Sequence, residues 1–131
     1  MNYKSAFNSF LAVSCTSITY YLGGWDSVMK ILALFIVLDY VTGIMKGFWN
    51  KELASDVGFK GIMKKAAIFI VVIVANQLDL AIPQENPVFR TLACYFYIAN
   101  EGISILENIA LMGVQLPAPI FDALKKLKES K

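Results

Sequence analysis

The order of apolar and polar positions divides the chain into four long apolar stretches separated by breakers. The stretches run over about 6–22, 28–45, 66–82 and 88–112. The breakers are Gly23-Gly24-Trp25-Asp26, the polar connection from Lys46 to Lys65, and Pro83-Gln84-Glu85-Asn86-Pro87. Clusters of Gly, Pro, Asn and Asp end helices and start turns. Crossing a hydrocarbon core of about 30 Å takes roughly 20 mostly apolar residues at about 1.5 Å each, and all four stretches approach that length. The pattern predicts an all-α membrane protein with about four transmembrane helices. The two short connections predict two antiparallel hairpins, segment one with two and segment three with four.

Composition supports this reading. Of 131 residues, 57% are hydrophobic and 17% charged, with a mean hydropathy of +0.58. A folded unit this small has too little interior to hide that much apolar surface. Segment one is the most polar, with Asn8, Ser9, Ser14, Thr16, Ser17 and Thr19, and a helix lying in the membrane interface is the alternative to a span there. It makes a poor signal peptide: Lys4 is the one basic residue upstream, and bulky Tyr20-Tyr21 occupies the cleavage region.

Charge placement adds an orientation. If all four segments span, the N-terminus, the 46–65 connection and the C-terminal tail share one side. That side holds Lys4, Lys46, Lys51, Lys60, Lys64, Lys65, Lys125, Lys126, Lys128 and Lys131, ten of the twelve basic residues. Lys30 and Arg90, the other two, lie near segment starts, from which long side chains snorkel to the interface. Cytoplasmic loops carry the Lys and Arg excess, so both termini are expected in the cytoplasm. The chain thus divides into a transmembrane helical domain, 1–116, and a basic amphipathic cytoplasmic tail, 117–131. After Pro117-Ala118-Pro119, the residues Ile120, Phe121, Leu124 and Leu127 recur at helical spacing beside Lys125, Lys126 and Lys128, a pattern suited to an anionic lipid surface.

Candidate chemistry is sparse. The chain has no histidine, and Cys15 and Cys94 are far apart in apolar runs, so no catalytic group, metal site, cofactor or nucleic-acid partner is indicated. Polar residues within the spans carry the signal instead, because such groups face other helices or water. Asn100, Glu101, Ser104, Glu107 and Asn108 fall within a stripe about 120° wide on segment four, and no basic residue obviously neutralises Glu101. This stripe is expected to meet water or a partner. In segment two, Asp39, Thr42, Gly43 and Lys46 share a narrow stripe, and Gly43 with Gly47 makes a GxxxG spacing that permits close helix approach. Ser9, Ala12 and Thr16 form a small-residue face on segment one. These two faces are the candidates for helix packing or an oligomer interface. Asn76, Gln77 and Asp79 lie near the outer end of segment three.

These residues resemble the toxin-secretion and phage-lysis holin family of Gram-positive bacteria and their phages. The matching stretches are Leu38-Asp39-Tyr40-Val41-Thr42-Gly43, then Ser55 with Gly58, Gly61, Ile62, Lys64 and Lys65, then Asp79. The specific block is Phe96-Tyr97-Ile98-Ala99-Asn100-Glu101-Gly102-Ile103-Ser104-Ile105-Leu106-Glu107-Asn108, and the match closes on Gly113-Val114-Gln115-Leu116-Pro117. Gln115 departs from a position where proline is expected. The resemblance implies a non-enzymatic protein that self-associates in the bacterial cytoplasmic membrane and opens lesions releasing an endolysin or a large toxin. Residue chemistry alone leaves two alternatives, a small proton-coupled transporter with an intramembrane carboxylate and an accessory subunit of a larger complex.

Overall fold

The computed structural model describes residues 2–52 and 55–129 as five helices: α1 Tyr3–Leu22, α2 Ser27–Asn50, α3 Ser55–Ala81, α4 Phe89–Leu111 and α5 Ala118–Glu129. Lys131, counted in the basic tail, lies outside the described residues.

Local chemistry sets the ends. Gly23, at φ 88°, closes α1 in the left-handed region with its N–H on the last turn, a conformation that costs glycine nothing. Asp26 caps α2, its carboxylate accepting from the Met29 N–H at 3.0 Å. At the far end of α2, Lys51 takes φ 56° and turns the chain toward α3.

α3 begins well before the expected 66, so Lys60, Lys64 and Lys65 lie on a helix and not in a loop. The glycines at 58 and 61 lower intrinsic helix propensity. The tertiary setting compensates: a Cβ at Gly58 would stand 3.5 Å from the Tyr40 hydroxyl, and one at Gly61 would stand 3.7 Å from the Tyr40 ring. These two glycines let the first turns of α3 pass close to α2.

α4 is the central element, packed against α2, α3 and α5. Met29, Leu32 and Ile36 of α2, Ile68 and Val72 of α3, and Cys94 and Ile98 of α4 form the core, joined by Leu22 from the end of α1. The second expected hairpin, α3 with α4, is present. The first is not: among the described residues α1 runs along α3, and its last residue, Leu22, reaches the core that α2 helps to form. The Arg90 guanidinium occupies the turn after α1 (below). Asn76 Nδ2 and Gln77 Nε2 complete the junction by donating to the Tyr21 carbonyl at 3.1 and 3.4 Å.

The tail also differs from a helix lying free on a surface. α5 folds back along α4, with Leu124 against Gly102, Leu127 against the core, and Lys128 Nζ donating to Asn100 Oδ1 at 3.3 Å. Gly102 makes room for this, since a Cβ there would come within 2.9 Å of a Leu124 methyl and 3.1 Å of Phe35.

Large apolar side chains cover the outside, among them Phe10, Val37, Ile70 and Leu80. Among the described residues one helix, α2, is long and apolar enough to cross a membrane by length and composition. The others carry polar or charged groups along their length.

Candidate functional site: a buried charge network on the central helix

Three helices bring their polar stripes to one point. α2 supplies Asp39 and Thr42, α3 supplies Lys65, and α4 supplies Glu101 and Asn108. Lys65 Nζ donates to Asp39 Oδ2 at 2.5 Å and to Glu101 Oε2 at 3.0 Å. Asn108 Nδ2 donates to Asp39 Oδ1 at 3.2 Å and to Thr42 Oγ1 at 3.0 Å, and the Thr42 hydroxyl donates back to the Leu38 carbonyl at 2.8 Å. Asp39, Thr42, Glu101 and Asn108 each retain less than a tenth of their surface. No buried side-chain nitrogen or oxygen among the described residues lacks a partner, which is what a buried polar cluster requires if it is not to cost several kcal/mol.

The expected stripe on α4 therefore splits by azimuth. Glu101 and Asn108, separated by two turns, face α2 and α3. Ser104, between them, is half-buried. Asn100 and Glu107, also two turns apart, form one edge of the stripe. Glu107 is exposed, and Asn100 is exposed but held by Lys128 of α5.

Lys65 is the residue that sequence reasoning missed, because it was assigned to a polar connection. A helical signal for it exists: Lys65, Ile68, Val72 and Ala75 share one face, and the latter three are buried.

The other predicted faces are distributed differently. A Cβ on Gly43 would meet Asn108 Nδ2 of the same chain at 3.9 Å, so this glycine faces α4. With Gly47 it lines a cavity between α2 and α3. Ser9, Ala12 and Thr16 are exposed on α1. The Thr16 hydroxyl donates to the Ala12 carbonyl at 2.8 Å. Lys60, Lys64, Lys125 and Lys126 are exposed.

A second cluster ties the opposite end together. Arg90 Nε donates to the Leu22 carbonyl at 2.6 Å, and its terminal nitrogens donate to the Gly24 carbonyl at 3.2 Å and to both Asp26 oxygens at 2.9 and 3.2 Å. The Asp79 carboxylate accepts from the backbone N–H groups of Phe89 and Arg90, both at 2.9 Å, capping the start of α4. The Arg90 guanidinium holds the Asp26 carboxyl below its ordinary value of 3.8. Gly23 is required here, as a Cβ would lie 2.5 Å from Asn76 Oδ1 and 2.6 Å from Arg90 Nε.

Nothing in either cluster suggests bond-making chemistry. Neither contains a nucleophile paired with a base, and among the described residues no three metal-ligating side chains gather.

Comparison with known proteins decides the class. Residues 16–129 match the bacteriophage holin family. The chain belongs to that family. The family is one of non-enzymatic membrane proteins, which agrees with the absence of catalytic residues expected from the sequence. Its relatives include an uncharacterised 14.9 kDa protein in the nagH 3′ region of Clostridium perfringens, 48% identical over 88% of each chain. A Listeria innocua protein of no assigned role, Lin0175, is 43% identical over 86% of this chain and 84% of its own. A probable holin of Bacillus phage phi105 is 41% identical over 79% of this chain and 76% of its own. No solved structure matches.

Proposed function

We propose that the protein acts as a holin. It crosses the cytoplasmic membrane through α1 to α4 with both termini inside, self-associates, and opens lesions that release an endolysin. Membership of the holin family, with a probable phage holin among the relatives, is the observation that carries this reading. The phage relative favours an endolysin over a toxin as cargo.

The buried network adds a physical requirement. With Lys65 holding Asp39 and Glu101 inside one subunit, the described arrangement presents a closed state. A water-filled lesion needs the α4 stripe to turn toward water, starting from its exposed edge at Glu107 and Asn100. Self-association is assigned to α1, whose exposed Ser9, Ala12 and Thr16 allow two helices to approach closely, while Gly43 is occupied within its own chain.

Induced expression beside a cytoplasmic endolysin, with a potential-sensitive dye, tests the reading. The expected result is abrupt depolarisation followed by endolysin release. Replacing Asn100, Glu101, Ser104, Glu107 and Asn108 with leucine is expected to abolish release while the protein still inserts. Drug-proton exchange without any leak, lost in Glu101→Gln, would overturn it.

A further inference from the structure

Between the end of α2 and the first turns of α3 lies a cavity of about 700 Å³ lined in part by the Asp39–Lys65 pair. Three further lysines, Lys46 from α2 and Lys60 and Lys64 from α3, line it, against one further acid, Glu52. The formal charge of the lining is thus positive. Lys60 and Lys64 are one turn apart, a spacing at which like charges on a helix repel, and Lys46 faces the same space from across the cavity. Among the described residues none of these three makes an ion pair; Lys65 and Arg90 make those that occur. Four lysines against two acids give the lining a net positive formal charge, which attracts an anion.

The surroundings say what kind of anion. Tyr40, Ile44 and Val57 line the same cavity, so its wall is partly apolar, and basic pockets between helices on the cytoplasmic side of a membrane protein suit lipid head groups. A soluble anion would gain nothing from that apolar wall, whereas a lipid offers a phosphate to the lysines and a glycerol and acyl chain to Tyr40, Ile44 and Val57. We propose that the Lys46–Lys60–Lys64 cavity is a binding site for the headgroup of an anionic phospholipid. The assignment rests on the membrane orientation adopted above and adds a specific lipid partner to it.

Native mass spectrometry of the detergent-purified full chain, offered phosphatidylglycerol or phosphatidylcholine, is the test. Retention of phosphatidylglycerol over phosphatidylcholine is expected, weakened by about tenfold or more when Lys46, Lys60 and Lys64 are all changed to Gln. Changing Lys125, Lys126 and Lys128 to Gln is expected to leave it in place. Equal retention by the cavity variant, or loss only in the tail variant, overturns the site. Displacement of the lipid by millimolar inorganic phosphate overturns the lipid as occupant and leaves a free-anion site.

Should the triple variant not fold, Lys60→Gln and Lys64→Gln are tested singly. Each is expected to weaken phosphatidylglycerol retention, and unchanged retention in both overturns the proposal. Lipid retention is read without any lesion, so a failure to lyse cells and a failure to select lipid are separate results.

Discussion

Lys65 and Glu101 stand 36 positions apart in sequence, and their side chains meet at 3.0 Å inside the bundle, where Lys65 also holds Asp39. One ammonium serves two carboxylates. The three groups sit on three different helices, so the contact fixes α3 to α2 and α4 at once.

Removing the cation is therefore expected to be far more harmful than removing the whole cluster. Lys65→Met leaves two carboxylates facing each other without a counter-charge, and breaking a buried pair in this way costs about 3–5 kcal/mol. Thermal unfolding in detergent should show a marked loss of stability for Lys65→Met. Most of it should return when Asp39→Asn and Glu101→Gln are added. A single Lys65→Met variant as stable as the parent would remove the network as a structural element.

At the opposite end, the lowered Asp26 carboxyl predicts an acid limb. Because the group binds its proton less readily folded than unfolded, its contribution is complete above the ordinary carboxylate value and disappears as pH falls through the lowered one. The Asp26 side chain is about half exposed (51%), so the contribution is at most about 1 kcal/mol. Asp26→Asn should lower stability slightly at neutral pH and flatten the profile below about pH 4. Arg90→Lys should be worse, since an ammonium cannot reproduce the fork that reaches Leu22, Gly24 and Asp26 together.

Gly102 should control the docking of α5. An added methyl meets the flexible end of Leu124 and can be accommodated, but the two methyl groups of valine cannot. An isolated helix as short as α5 is marginal in water, so undocking should unravel it. Amide exchange over residues 120–127 is expected to stay slow in Gly102→Ala and to become fast in Gly102→Val. Slow exchange in both would mean that α5 is held by other contacts.

Orientation is checked by labelling. In a variant lacking Cys15 and Cys94, new cysteines at Asp26 and Glu85 should react with an impermeant reagent added outside intact cells, and one at Lys51 should not. Labelling at Lys51 would reverse the topology.

Much of this architecture was legible in the sequence, and the exceptions have physical causes. Apolar runs ended by Gly23-Gly24 and by Pro83 to Pro87 marked the helices, since these residues act through local backbone geometry. The early start of α3 was hidden because Gly58, Gly61 and the lysines resemble a loop until Tyr40 packs on them. The polar stripe of α4 was visible, but periodicity alone could not show that Glu101 and Asn108 turn inward while Glu107 turns out. That division depends on Lys65 from another helix. The expected α1–α2 hairpin did not form: Asn76 and Gln77 of α3 and Arg90 of α4, all distant in sequence, hold the carbonyls at the end of α1. Docking of α5 depends on the missing side chain at Gly102, a feature that hydrophobic patterning does not register.

The complete internal satisfaction of the network bears on how such a protein could accumulate. Bound to one another, Asp39, Lys65, Glu101 and Asn108 offer surrounding lipid nothing that attracts water or ions. Copies could then crowd together in a bilayer that still holds its voltage, each one electrically quiet. Leakage would begin only when neighbouring subunits compete with the internal partners of α4, so the delay before opening would be set by how firmly one lysine is held.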